Sequence, residues 1–301
     1  MTSATPVPGR RPDSIWKFGG LTPLRLLCNV LSAIVHDDLF SRASGLAFDF
    51  ILALFPLLLF MLALFGLFES RGSALLDSLL SYLTDFLPPA ASQLIDSIVK
   101  ELAAHSGGGK ITFGIAAGLW FASGGMSSMI STLNGVFRVR EARSWLRVRA
   151  IALLLTLVMA ILLLSALLVV LVGGHVVDWL ARELSWSSFL AVAWKALQWP
   201  AAAFFVMVSF SLVYYAGPNL EMRRKHWITP GSVFGTLLWL ASSACLRIYL
   251  HFFNTYSATY GSLGAVIALL AWLYVSGVSF LVGGEINAEI ERAASARTSV
   301  N

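Results

Sequence analysis

The stretch AIALLLTLVMAILLLSALLVVLV, residues 150–172, contains no charged residue, no glycine and no proline. A helix needs roughly 20 mostly apolar residues to cross the hydrocarbon core of a bilayer, so this run is long enough to span a membrane. The whole chain has a matching composition: 57% of its 301 residues are hydrophobic, 12% are charged and the mean hydropathy is +0.78. Because a soluble domain carries about 25% charged residues, this chain has too few to cover a water-facing surface.

Five further stretches have a similar length and apolar character, and together they predict six membrane spans. The spans are expected at about 45–68, 111–133, 150–172, 196–216, 231–250 and 262–283. The strands of a membrane β-barrel would be shorter and would alternate in hydropathy, which these runs do not do. The predicted fold class is therefore all-α, a polytopic bundle of transmembrane helices.

The lysines and arginines lie mostly on one side of this predicted membrane. Fifteen precede the first span, follow the last, or lie between spans two and three and between spans four and five; the other six lie on the opposite side. Because basic loops stay in the cytoplasm, both termini are expected there, in a multi-pass protein of the bacterial inner membrane. The net charge of +5 is interpreted as this topology signal, with anchoring to anionic headgroups, and not as a nucleic-acid surface.

Two segments outside the spans are predicted to be helical. In the first, residues 21–40, Leu24, Leu27, Leu31 and Ile34 recur at helical spacing, which predicts an amphipathic helix in the cytoplasmic interface. In the second, residues 73–109, two apolar helical patterns flank a pair of prolines, which predicts a helical hairpin on the outer face.

The chain is expected to form one membrane domain with short ends. Residues 1–20, which begin with a segment rich in Pro, Ser and Thr, are predicted to be a disordered cytoplasmic terminus. Residues 21–291 are predicted to form the six-span domain, and residues 292–301 a short cytoplasmic tail. No internal repeat is visible.

Three motifs in the sequence resemble the YihY/virulence factor BrkB family. RASGLAFDFILALFPLLLFMLALFG (42–66) resembles its first span, and YYAGPN (214–219), followed by basic residues, resembles the exit of its fourth span. YGSLGAVIALLAWLYVSG (260–277) with GGEINAE (283–289) resembles its C-terminal signature. The resemblance implies an inner-membrane protein, formerly mislabelled ribonuclease BN, with roles in the envelope and in lipid movement. It brings no settled biochemical activity.

Polar residues inside or beside the spans are the candidates for a substrate path. A charged side chain in lipid is costly, so such residues usually face the interior of a bundle or a wet cavity. The candidates are Asp49, Asn134, Arg247, Glu285 and Asn287. Asp49 and Arg247 are expected to face the bundle interior near opposite membrane faces, and at least one is expected to contact a substrate or a coupling proton. For each candidate the alternative is a structural ion pair or solvation among headgroups.

Four further residues are candidates for a kink or a gate. Pro56 interrupts the first span and removes one backbone hydrogen bond, so it predicts a static kink or a hinge. Tyr260, Gly261 and Gly264 lie at the entry to the last span, where an aromatic ring anchors well and small residues allow close helix packing. The alternative to this structural interpretation is a gate over an outward-facing cavity.

The sequence shows no catalytic or metal-binding constellation. The five histidines are scattered over both predicted membrane faces, and the patterns HxH, HExxH, GxSxG and Walker A do not occur. No catalytic residue, no metal site and no cofactor are therefore predicted, and the protein is not expected to be an enzyme.

Two functions are weighed ahead of a nuclease, which ranks third. The first is a transporter or translocator of an envelope lipid or another amphiphile; the second is a non-transporting membrane scaffold in envelope maintenance. The expected partners are membrane lipids and envelope proteins, without nucleic acid, and the oligomeric state is left open. A continuous polar cavity reaching Asp49 or Arg247 would favour transport, whereas a solidly packed bundle would favour the scaffold.

The predicted topology can be tested by cysteine labelling. In a chain whose Cys28 and Cys245 have been replaced by alanine, Glu101→Cys should react with a membrane-impermeant maleimide added to intact cells. Arg143→Cys should react only after the cells have been opened, because the basic loops are expected inside. The measurement is the labelled fraction before and after permeabilisation, and the reverse pattern would overturn the orientation.

Overall fold

The computed structural model describes residues 15–66, 108–184, 187–220, 228–252 and 262–300. Within these ranges a 3-10 helix, Ile15–Gly20, is followed by seven α-helices. They are α1 (Pro23–His36), α2 (Leu39–Gly66), α3 (Gly108–Val136), α4 (Trp145–Leu184), α5 (Ser187–Ala216), α6 (Pro230–Phe252) and α7 (Ser262–Val300). The all-α class predicted from the sequence is confirmed.

Four of the described helices are long and apolar enough to cross a membrane. The segments concerned are Trp145–Ala166, Ala196–Ala216, Pro230–Tyr249 and Val266–Ala296. They correspond to the third to sixth predicted spans. Helices α2 and α3 lie where the first two spans were predicted, and the total of six spans stays a prediction. Residues 73–107 of the predicted outer hairpin lie outside the described residues, as do Tyr260 and Gly261, whereas residues 108 and 109 begin α3.

Helical structure extends into both predicted end segments. The 3-10 helix Ile15–Gly20 packs on α7, where Gly19 has a φ of 60° and an added Cβ would lie 2.6 Å from the Ile290 carbonyl oxygen. Helix α7 continues to Val300, and its buried apolar residues extend beyond the last predicted span to Ile286 and Ile290. The cytoplasmic assignment of both ends stays a prediction.

Helix α1 carries apolar residues on two faces. Leu26 and Val30 are buried in a cluster with Ile286 and Ile290 of α7. Another face bears three leucines that are each more than half exposed: Leu24, Leu27 and Leu31. An exposed leucine stripe beside membrane-length helices is what an interfacial helix requires, since such a helix buries its apolar face among headgroups and acyl chains.

The centre of the bundle lies where α2, α3 and α7 meet. Helix α2 packs along α3, α4 along α5 and α6 along α7, and α2 also contacts α7. The residues fully buried at this centre include Leu39, Leu46, Leu133 and Leu281. The contacts join the first half of the chain to its C-terminal helix, so the described helices form one packed body.

Helices α6 and α7 approach each other closely at two glycines. A Cβ added at Gly231 would collide with the Gly283 carbonyl oxygen, and one added at Gly283 would lie 2.5 Å from the Gly231 carbonyl oxygen. The Tyr214 hydroxyl from α5 lies beside this crossing and donates to the Phe280 carbonyl. Helices in lipid associate mainly through such close backbone packing, because lipid gives them no strong hydrophobic reason to associate.

This crossing predicts different outcomes for two glycine substitutions. Gly231→Ala should destabilise the protein by about 1–3 kcal/mol or prevent folding, because the new methyl group meets backbone that cannot rotate away. The matched control is Gly45→Ala on α2, where an added Cβ has no atom within 4 Å. That change should be neutral or stabilise the helix by up to about 1 kcal/mol. Thermal unfolding in detergent is the measurement, and equal effects of the two changes would contradict the close crossing.

Candidate functional site

A cavity of about 350 Å³ lies between α2, α3, α4, α5, α6 and α7. Its wall is mostly apolar and includes Phe50, Met126, Met159, Phe205, Trp239 and Trp272. Small-molecule sites in proteins have volumes of about 300–1,000 Å³, so the space is large enough for part of a ligand.

The polar side chains in the cavity wall already have hydrogen-bond partners. Thr156 and Ser209 each donate at 2.8 Å to a carbonyl one turn earlier in their own helices. Trp239 Nε1 donates to Ser276 Oγ at 2.9 Å, which links α6 to α7. Three methionines, whose flexible thioether chains adapt to irregular shapes, complete much of the remaining surface: Met126, Met129 and Met159. The cavity therefore suits an apolar ligand better than a charged one.

Asp49 lies beside the cavity without lining it. Its half-buried side chain accepts a hydrogen bond from the Ser128 hydroxyl of α3. The adjacent Phe50 and the facing Gly125 both line the cavity. The apolar cavity means that the described helices are not a solidly packed bundle, and this cavity is not the continuous polar one that would favour transport. A path role for Asp49 stays a prediction.

Arg247 is exposed on α6, so the expectation that it faces the bundle interior is wrong. The stripe of α6 that faces α7 is held by hydrogen bonds from Trp239 to Ser276 and between Ser242 and Ser279. Leu246, four residues after Ser242, continues that stripe and is partly buried, which turns the next side chain outward.

Asn134 joins three segments at one end of the bundle. This end, where connections 37–38, 137–144 and 217–220 meet, is called the connection end below. Asn134 Nδ2 donates to Glu141 Oε2, and its Oδ1 accepts from the Asn219 backbone N–H, both at 2.8 Å. Arg143 donates to both oxygens of Glu141 at 2.7 and 2.6 Å and to the Gly217 carbonyl at 2.7 Å. Asn134 therefore fixes the exit of α3 to the exit of α5.

Asn287 holds the start of α6 against α7. Its Oδ1 accepts from the Gly231 backbone N–H, and its Nδ2 donates to Thr229 Oγ1, both at 3.0 Å. The first N–H groups of a helix have no partner within the helix, so a side-chain amide from the neighbouring helix satisfies one of them here.

Glu285 lies in the interior of the connection end and is 0% exposed. Arg292 of the same helix donates to Glu285 Oε2 at 3.3 Å, to Glu289 Oε1 at 2.7 Å and to the Val136 carbonyl at 3.1 Å. Asn29 of α1 donates to Glu289 Oε2 at 3.3 Å. Among the described residues, Glu285 Oε1 has no hydrogen-bond partner.

Two of the four kink and gate candidates, Pro56 and Gly264, lie in the described part of the chain. Helix α2 continues through Pro56, and the Pro56 carbonyl oxygen would lie 3.0 Å from a Cβ added at Gly118 of α3. The proline therefore lies where two helix backbones pass closely. Gly264 lies in the first turn of α7. A hinge or gate role for these residues stays a prediction.

Several residues of the connection end were not among the substrate-path candidates chosen from the sequence. Glu289 and Arg292 are three residues apart, a spacing that places them on one face once α7 is known to continue past residue 283. Asp37 and Arg138, whose charged atoms lie 3.0 Å apart, are 101 residues apart in the chain. No local sequence signal could have paired them.

The ion pair at the connection end predicts a pH dependence of stability. The Arg143 guanidinium, hydrogen-bonded to the Glu141 carboxylate, lowers the pKa of that carboxyl from 4.5 to about 2. A carboxyl group with a depressed folded-state pKa stabilises the fold above its unfolded pKa, and this contribution is lost as the pH falls from about 4.5 towards 2. Glu141→Gln should therefore lower the unfolding temperature at neutral pH, with a difference from wild type that shrinks on acidification. A difference independent of pH would contradict this assignment.

Comparison with known proteins identifies a family that the chain matches. The family model described as Virulence factor BrkB matches residues 30–301. The ribonuclease-like protein YfkH of Bacillus subtilis (strain 168) is 36% identical over 254 residues, which cover 84% of this chain and 90% of that protein. UPF0761 membrane proteins of Rhodospirillum centenum and Chlorobium limicola are 29% and 26% identical over 290 and 296 residues.

The chain spans about three fifths of these last two relatives, since the alignments cover 94% and 91% of this chain but 59% and 60% of theirs. No solved structure matches the chain. The family match runs from within α1 to the end of the sequence and includes all the helices that build the cavity and the connection end. The chain therefore belongs to the BrkB virulence-factor family of membrane proteins.

Proposed function

We propose that this protein moves an envelope lipid or a similar amphiphile through the bacterial inner membrane. The observation that supports this most is the apolar cavity of about 350 Å³, which is walled by α2 to α7. Its polar side chains are engaged with each other or with their own helices, so an incoming ligand would meet mostly carbon. An acyl chain or another apolar group has the matching chemistry.

The head of such an amphiphile needs polar contacts, and two regions supply candidates. Asp49 lies next to the cavity wall on α2. Asn134, Glu285 and Asn287 lie at the connection end, where α3, α6 and α7 meet. These four residues are the proposed polar path. For Arg247, exposed on α6, contact with lipid headgroups is the role that its position supports.

The proposed location is the inner membrane, with both termini and the connection end in the cytoplasm. The support is the charge distribution: Arg138, Arg140 and Arg143 lie in the 137–144 connection, and basic loops stay on the cytoplasmic side. Membrane lipids and envelope proteins are the proposed partners.

A scaffold that does not transport is the second candidate. Its support is that Asn134 and Asn287 both serve helix packing, as residues of a purely structural bundle would. A nuclease ranks third, suggested by the name of the Bacillus subtilis relative. In the part of the chain that the structure describes, no group of three His, Cys, Asp or Glu residues is placed to hold a metal ion.

Filling the cavity should separate transport from scaffolding. Ala160 lines the cavity and is 2% exposed, whereas the next residue on the same helix, Ile161, is 52% exposed. Ala160→Phe should reduce lipid exchange several-fold because the ring occupies the cavity, and the matched control Ile161→Phe should leave it unchanged. The measurement is leaflet exchange of fluorescent phospholipids in liposomes that contain the purified protein.

Two results would count against the proposal. Exchange in liposomes with wild-type protein that is no faster than in empty liposomes would favour the scaffold. Equal losses in Ala160→Phe and Ile161→Phe would show that the cavity is not on the route.

A further inference from the structure

Glu285 has a buried carboxyl group, and one of its two oxygens has no hydrogen-bond partner among the described residues. Its Oε2 is 3.3 Å from Arg292, while Oε1 has no hydrogen-bond partner in the described part of the chain. The adjacent Gly284 lets Leu133 approach α7, with a distance of 3.1 Å from its Cδ2 to the position of an added Cβ. Leu133 therefore packs on α7 one residue before Glu285, whose own side chain is 0% exposed. Leaving a charged oxygen unpaired in such surroundings costs more free energy than burying a neutral carboxyl.

Glu285 shares the guanidinium group that contacts it. Asp37 is paired with Arg138 at 3.0 Å, and Glu289 is paired with Arg292 at 2.7 Å. Glu285 shares Arg292 at the longer distance of 3.3 Å. Two guanidinium groups thus make the direct salt bridges to three carboxylates, and Arg292 divides its contacts between two of them.

Other titratable groups on the neighbouring helices are directed elsewhere. Arg42 at the start of α2 donates its Nε to the Asp37 backbone carbonyl at 2.6 Å. The Tyr214 hydroxyl of α5 donates to the Phe280 carbonyl. Neither hydrogen-bonds to Glu285, so among the described residues Arg292 is the cation that contacts it directly.

From the burial, the oxygen without a hydrogen-bond partner and the shared guanidinium, we propose that Glu285 is a proton-binding site whose Oε1 carries the proton in this packing of the helices. One proton from water adds to one carboxylate to give a neutral carboxyl group, which does not need a cation of its own. The neutral form also leaves Arg292 free to keep its shorter contact with Glu289.

The proton site is linked to the packing of three helices. Arg292 donates to the Val136 carbonyl at the end of α3 at 3.1 Å, and Glu289 accepts from Asn29 of α1 at 3.3 Å. When Glu285 loses its proton, its carboxylate competes with Glu289 for Arg292, which weakens the contacts of α7 with α1 and α3. Proton release and displacement of α1 therefore favour each other, because such coupling is reciprocal.

This inference goes beyond the proposed function and rests on residues that do not line the cavity. Infrared spectroscopy of the purified full chain in lipid nanodiscs tests it. Wild-type protein at neutral pH should show a protonated-carboxyl C=O band that shifts when glutamate is labelled with ¹³C and that exchanges slowly in D₂O. Glu285→Gln should lose this band. The matched control, Glu289→Gln, should keep it, because both Glu289 oxygens have partners.

Either of two spectra overturns the proposal: no slowly exchanging glutamate band in the wild type, or a band that survives Glu285→Gln. If Glu285→Gln does not fold, Glu285→Asp replaces it, and the band must then stop following the glutamate label. Thermal unfolding gives an independent readout: Glu285→Gln should match or exceed wild-type stability at neutral pH, and Glu289→Gln should lower it. None of these measurements depends on lipid movement, so a negative exchange assay leaves the proton site standing.

Discussion

The close approach of α6 and α7 at Gly231 and Gly283 is the contact on which the rest of the structure depends. Because neither residue has a side chain, the two backbones come near enough for Asn287 to accept a hydrogen bond from the Gly231 N–H at the start of α6. The same crossing places the Tyr214 hydroxyl against the Phe280 carbonyl and so fixes α5 to the pair. In lipid, where burying apolar side chains gains little, such contacts largely decide how helices assemble.

The described helices separate an apolar middle from a polar end. The middle holds a cavity whose polar groups have hydrogen-bond partners. The connection end holds an ion pair and hydrogen bonds that join α1, α3 and α7. The proposed function needs both kinds of environment, one for an apolar chain and one for a polar head. The Glu285 carboxyl and the Ala160 side chain lie in different parts of this division, so the two proposals can fail independently.

Several residues that were chosen as candidates from the sequence hold helices or connections together in the bundle. Asn134 ties the connections after α3 and α5 together, and Pro56 lies where α2 passes Gly118 of α3. These roles are compatible with a transporter, because the walls of a cavity must be held in place, and equally with a scaffold. The apolar cavity between six helices is what favours transport.

The sequence by itself determined the helical class and the four apolar spans of α4 to α7, because hydropathy over 20 residues is a local property. It also determined the family, because the motifs at residues 42–66 and 260–289 can be recognised without the fold. It also suggested polar residues near the ends of spans, but not which way they point. Only the tertiary structure decided that Arg247 faces outward, that Asp37 meets Arg138 and that one Glu285 oxygen has no hydrogen-bond partner among the described residues. The physical reason is that a side chain's surroundings depend on the register of one helix against another. Close contacts between distant glycines set that register, and no local pattern records it.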